Sequence, residues 1–234
     1  MNNPSTTPNA APSPTPGDAI RRCQKCALAL GFRHPHLLLP HARVRDLYRE
    51  DERAGTMGIN AKGSITIAPS LVASLPQEQL AGCIAHELCH LMLGHHERGK
   101  GKDQFLYNIA GDWVINENLR RDGIQLPSWV VYPDQAFLAA GLPLDTDTVY
   151  DWLKREGGGN GTPGDGPTKV GAGCGVTPSA EGTEGTDVAD GATGDKPIDW
   201  AEVARQARAL AQQAGRGTSA FAAMLTPVPP RLDW

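Results

Sequence analysis

His86-Glu87-Leu88-Cys89-His90, set within the longer run from Leu80 to Arg98, decides how the rest of the chain is read. Two histidines stand four residues apart, with a glutamate directly after the first. Four helical residues turn through about 400°, so both imidazoles leave one face, roughly 6 Å apart along the axis. Rings at that spacing can bind one metal ion. Glu87 lies about 100° further round, where its carboxylate can reach a water beside the metal rather than the metal itself. Two imidazole ligands and a carboxylate base suit metal-assisted hydrolysis of a peptide bond.

The flanks predict a helix. Ser74-Leu75-Pro76-Gln77 reads as its start, with Ser74 as N-cap, Gln77 as capping-box partner and Pro76 in the first turn. Leu80, Ile84, Leu88 and Leu91 recur at helical spacing and give a stripe that faces a core. Gly94 follows as a C-cap. Histidines on such an apolar element are costly to bury without partners, which favours ligands over an ordinary core helix.

The chain has 234 residues, room for one domain and appendages. Only 6% of residues are aromatic, against 27 Gly and 19 Pro, so a modest core is diluted by segments that cannot build one. A net charge of −4 without a basic run argues against a nucleic-acid partner. No stretch approaches the roughly 18 apolar residues of a membrane span. Residues 1–17 are rich in Asn, Pro, Ser and Thr with no apolar run, which predicts a disordered tail rather than a signal peptide. Five cysteines at irregular spacing make no disulfide framework, and a cytoplasmic protein is expected.

Cys23 and Cys26 have the spacing of half a zinc ribbon but lack a second pair, so they are expected to lie on a first helix over about 18–30. His34, His36 and His41 fall among prolines that disfavour helix or strand spacing, and read as structural or exposed. Residues 56–69 predict a β-hairpin, with Met57, Ile59, Ile65 and Ile67 alternating about Asn60-Ala61-Lys62-Gly63. An edge strand beside the motif helix could take an extended peptide by β-addition.

A second long helix is predicted over about 104–121. It carries a polar stripe, Asn108, Asp112 and Asn116, among apolar neighbours, and a carboxylate placed there needs a partner. Short helices follow from Pro133 to Leu138 and from Thr146 to Arg155, the latter with Val149, Trp152 and Leu153 inward. Residues 157–196 are Gly, Thr, Asp, Ala and Pro, a flexible linker by composition. Beyond it, 198–214 reads as helical with Trp200, Val203, Ala207 and Leu210 on one side, and 218–225 as a short helix. The organisation expected is a tail over 1–18, a catalytic domain over 19–155, a linker over 156–197 and a helical segment over 198–234. That last segment packs back or leads into an absent domain.

A hydrolytic zinc site takes three protein ligands and leaves one position open. His86 and His90 supply two. His95, His96 and Asp112 are candidates for the third, with Asp112 preferred and His95 next. Tyr107, His95, His96 and Arg98 are candidate donors to the oxyanion. Asn108 and Asn116 are placed to hold ligands in position.

His86-Glu-Leu-Cys-His90, Gly94-His95, Arg98 and Asn108-Ile-Ala-Gly-Asp112-Trp-Val-Ile-Asn116 resemble the metallopeptidases found next to von Willebrand factor A-like domains, zincin-like proteins of bacteria and phage. Ile67-Ala-Pro69 and Val149-Tyr150-Asp-Trp-Leu153 are similar to the same family, and the resemblance covers about 56–153. It implies an α+β, zincin-like fold with the motif helix packed on a small sheet or hairpin and further helices. It also implies Asp112 as third ligand, one Zn2+ per chain, and a peptide or protein substrate. A von Willebrand A-like domain or an AAA ATPase is the partner it suggests. The family usually continues into that domain, whereas this sequence ends at Pro230-Arg-Leu-Asp-Trp234, as a stand-alone version or a fragment would.

The expected activity is therefore a zinc metalloendopeptidase with Glu87 as general base. The alternative is a non-catalytic zincin-fold binding module with a structural metal. A redox or zinc-ribbon adaptor built on Cys23 and Cys26 lacks its second half.

Overall fold

The computed structural model describes residues 16–43, 47–157, 198–215 and 219–225. The tail and the linker expected from composition lie outside these residues, apart from their last or first positions.

The first helix, α1 (Asp18–Arg33), buries Ala19, Cys23, Cys26, Ala27 and Leu30 along one face against the motif helix. Its free N-terminal amides are satisfied by Glu50, whose carboxylate accepts from Gly17 N and Ile20 N. Cys23 and Cys26 are core residues with free thiols, and burial pushes Cys23 up to about 12. The stretch after α1 departs from expectation: Pro35–His41 is a helix, α2. Pro35 occupies its first position, where a missing N–H costs nothing, and Pro40 falls in its last turn. His34 and His36 are buried there, His41 half-buried, and His36 stacks on Phe221 with ring centroids 4.3 Å apart.

Three short strands, β1 (Tyr48–Glu50), β2 (Met57–Ile59) and β3 (Ile65–Ile67), form one sheet in the order β1-β3-β2. The hairpin is the predicted one: β2 pairs antiparallel with β3, Met57 opposite Ile67. Asn60 Oδ1 closes its turn by accepting from Lys62 N and Ser64 N. β1 pairs parallel with β3, so β3 is central and β2 is the edge that lies against the motif helix.

The predicted helix start is displaced. Pro69–Ser74 is already a helix, α3, so Ser74 stands at its end and its hydroxyl donates back to Leu71 O at 2.8 Å. Pro76 precedes the motif helix α4 (Gln77–Met92), which starts without a side-chain cap, so Ser74 and Gln77 form no capping box. Every residue of α4 from Leu80 to Met92 is buried, which makes it the axis of the fold. Gly94, at φ 65, turns the chain from α4 into the single turn α5 (His95–Arg98).

Helix α6 (Gln104–Arg121) is also buried nearly all round. Ile115 and Leu119 join the main core with α1, the sheet and α4. Ile109, Ala110, Trp113 and Val114 join a second core with Phe137 of α7 (Gln135–Ala139) and Val149 and Tyr150 of α8 (Thr146–Gly157). The polar stripe of α6 therefore does not face solvent. Asp112 and Asn116 lie at 3% and 1% exposure in the seam with α4.

Helices α9 (Trp200–Gln213) and α10 (Ala220–Met224) pack on α2, α4 and α6. The buried face of α9 is Val203, Ala204, Ala207 and Ala211, while Trp200 and Leu210 of the predicted stripe are half-buried. The Asp122 carboxylate accepts from Ala220 N and Phe221 N and ties α10 to the end of α6. The architecture is a mixed α+β one, mostly helical around a three-stranded sheet. Among the described residues no helix is long and apolar enough to cross a membrane.

Candidate metal centre

Three side chains converge where α4 crosses α6. His86 and His90 emerge from one face of α4, and Asp112 meets them from α6, each buried to 3% exposure or less. His86 Nε2 and His90 Nε2 are 3.0 Å apart, and Asp112 Oδ1 is 3.3 and 3.2 Å from them. A tetrahedral zinc ion with bonds of about 2.0–2.1 Å keeps its ligand atoms about 3.3 Å apart, so the triangle matches three corners of such a site. The donor set of two imidazoles and a carboxylate suits a divalent transition metal. His86, His90 and Asp112 thus make a group that could hold a metal ion.

The three groups are close enough to perturb one another strongly. Burial alone would lower His86, but the hydrogen bond and charge of Asp112 outweigh it and raise the ring to about 9. Burial takes His90 down to about 4 against the pull of Asp112. Burial would raise Asp112, and the two histidines reverse this and hold it below the ordinary carboxylate range.

The neighbours fix the rings. Asn116, one turn after Asp112, accepts from His86 Nδ1 at 2.7 Å and donates through Nδ2 to Val131 O at 2.8 Å. Asn108, one turn before Asp112, is half-buried. Glu87 follows His86 on α4 and is fully buried.

The other third-ligand candidates stand elsewhere. His95 Nδ1 lies 2.8 Å from His90 Nδ1, on the side of that ring turned away from Asp112, and its Nε2 lies 3.0 Å from Thr146 Oγ1. His96 donates through Nε2 to Ile59 O, on the edge strand β2. That contact occupies part of the edge considered for β-addition. Arg98 is engaged by Asp147 Oδ2 at 2.7 Å and Leu93 O at 3.0 Å. Tyr107 continues a row of rings beyond His95, with centroids 5.9 Å apart. Thr146 carries no motif, and nothing in the sequence signals its contact with His95.

The sequence matches, over residues 21–234, the model of a family described as "putative metallopeptidase domain". No curated protein and no solved structure matches the chain.

Proposed function

The chain belongs to the putative metallopeptidase domain family, and from that premise we propose that it is a zinc-dependent, zincin-type peptidase acting on a peptide or protein. The observation that carries this reading is the triangle of His86 Nε2, His90 Nε2 and Asp112 Oδ1, with edges of 3.0 to 3.3 Å. These residues would hold the ion and leave a fourth corner open, as catalytic sites do. Zinc supplies a Lewis acid there, which acidifies water and polarises a carbonyl.

Glu87 acts as general base: it takes a proton from the attacking water and passes it to the leaving amine. Asn116 keeps the His86 ring turned so that Nε2 faces the ion. From the family resemblance we also infer a von Willebrand A-like or AAA ATPase partner, and from the irregular cysteine spacing a cytoplasmic setting.

A second reading is a binding module whose metal is structural. It draws on the burial of the site, with His86, Glu87, His90 and Asp112 at 2%, 0%, 0% and 3% exposure, as in a closed centre.

Elemental mass spectrometry and proteolysis of an unfolded protein substrate separate the two. Wild type should hold about one zinc per chain, and Asp112→Ala should lose most of it. Glu87→Gln should keep zinc and lose cleavage. Cleavage retained in Glu87→Gln would remove that residue as base. Zinc retained in Asp112→Ala would move the third ligand elsewhere. Zinc without any cleavage in the wild type would favour the binding module.

A further inference from the structure

His90 touches the triangle with one ring nitrogen and His95 with the other. Its Nε2 stands 3.2 Å from Asp112 Oδ1, and its Nδ1 stands 2.8 Å from His95 Nδ1. His95 in turn places Nε2 3.0 Å from the hydroxyl of Thr146, the first residue of α8. His90, His95 and Thr146 are at 0%, 3% and 2% exposure, so water is a poor substitute for any of these contacts.

We propose that His95 and Thr146 form a positioning arm that holds His90 in the tautomer presenting Nε2 to the metal. The inference rests on the metal-centre reading above and adds to it two residues that bind no metal themselves.

The hydrogen positions follow from one requirement. A ligand nitrogen offers a lone pair, so neutral His90 keeps its hydrogen on Nδ1. That N–H donates to His95 Nδ1, which must accept. Neutral His95 then carries its own hydrogen on Nε2 and donates it to Thr146 Oγ1. Each ring has one available arrangement, and the arm resists rotation of His90 as Asn116 resists rotation of His86.

The seat of His95 is an independent observation. Gly111 immediately precedes Asp112 in the middle of α6, where glycine costs about 1 kcal/mol relative to alanine. A Cβ at Gly111 would stand 2.7 Å from His95 Nδ1 and Cε1, and 3.4 Å from His90 Cε1. The helix that delivers Asp112 is thus notched beside it to admit the imidazole that holds His90. A histidine merely filling space would not need a notch, a ring partner on one nitrogen and a hydroxyl on the other.

The test is zinc(II) affinity of the full chain, by competition with a chromophoric chelator, together with the visible spectrum of the cobalt(II) form. His95→Phe keeps a ring in the seat and removes both nitrogens, and should weaken zinc about 10- to 100-fold. Thr146→Val is isosteric and should cost roughly 3- to 10-fold and shift the cobalt bands, with Thr146→Ser restoring both. The double variant should bind no more weakly than His95→Phe alone, because Thr146 acts through His95.

Zinc affinity unchanged in folded Thr146→Val and His95→Phe, or losses that add in full, would overturn the arm while leaving the metal centre standing. A wild type that takes up no zinc would overturn the metal centre and the arm together.

Discussion

Asn116 Oδ1 accepts a hydrogen bond from His86 Nδ1 at 2.7 Å, and its amide is held in that sense because Nδ2 donates to Val131 O. The pairing links α6 to α4 one helical turn from the point where Asp112 meets the same histidine. The residue spacing on α6 thus does two jobs: Asp112 faces Nε2 of His86 while Asn116, four residues on, faces its Nδ1.

Replacing Asn116 should therefore weaken metal binding without touching a ligand. Asn116→Leu keeps the volume but removes the acceptor, and zinc affinity should fall about 10- to 100-fold in a chelator competition. Asn116→Asp keeps an acceptor and should retain more of the affinity. Equal affinity in wild type and Asn116→Leu would show that Asn116 does not orient His86.

The protonation of His86 gives a pH prediction with a definite sign. In the metal-free protein the ring lies at about 9, above its ordinary value near 6.5. A raised folded value contributes stability that is present below about 6.5 and is lost as pH rises towards about 9. His90, lowered to about 4, acts the other way and withdraws stability as pH falls from about 6.5 to about 4. The chelator-treated protein should then be most stable near pH 6.5, with Tm declining on both sides. Binding zinc requires neutral His86, so uptake near pH 7 should release about one proton, and affinity should rise about tenfold per pH unit towards pH 9. Calorimetric titration in buffers of different ionisation enthalpy counts that proton. Zinc uptake with no proton released at pH 7 would contradict the assignment.

Much of this centre is legible because spacing and geometry coincide on a helix. A spacing of four positions from His86 to His90, and again from Asp112 to Asn116, puts each pair on one face whatever the surrounding fold. The bounds of α6 follow from Asp103, whose carboxylate accepts from Leu106 N, and from the Asp122-Gly123 turn. The hairpin is legible for a similar reason, since alternation and the Asn60 turn agree.

What escapes the sequence depends on contacts distant along the chain. β1 is three residues paired in parallel with β3, too short to carry a period. α2 forms despite two prolines because Pro35 sits at its first position, where a lost donor matters little, and because His36 packs on Phe221, while Pro40 forfeits one bond in the last turn. Ser74 caps nothing because α3 has already consumed it. His95 reads as a ligand candidate from its distance to His90 alone; only the fold shows that it approaches the opposite nitrogen.

Gly111→Ala sets two effects of opposite sign against each other. Alanine in a helix interior is favoured over glycine by about 1 kcal/mol, so an unobstructed position would be stabilised. Here the new methyl would stand 2.7 Å from the His95 ring, closer than real Cβ contacts come, so the ring or α6 must shift. Overpacking a tight interior typically costs about 1–3 kcal/mol, and His95 is held at both nitrogens and has little freedom to yield. The second effect should win: Tm should fall, and zinc affinity should fall with it because His90 and Asp112 adjoin the displaced atoms. Thermal unfolding with and without chelator checks both parts. A Gly111→Ala protein more stable than wild type, with unaltered zinc binding, would show that the notch is not needed and that His95 accommodates the methyl.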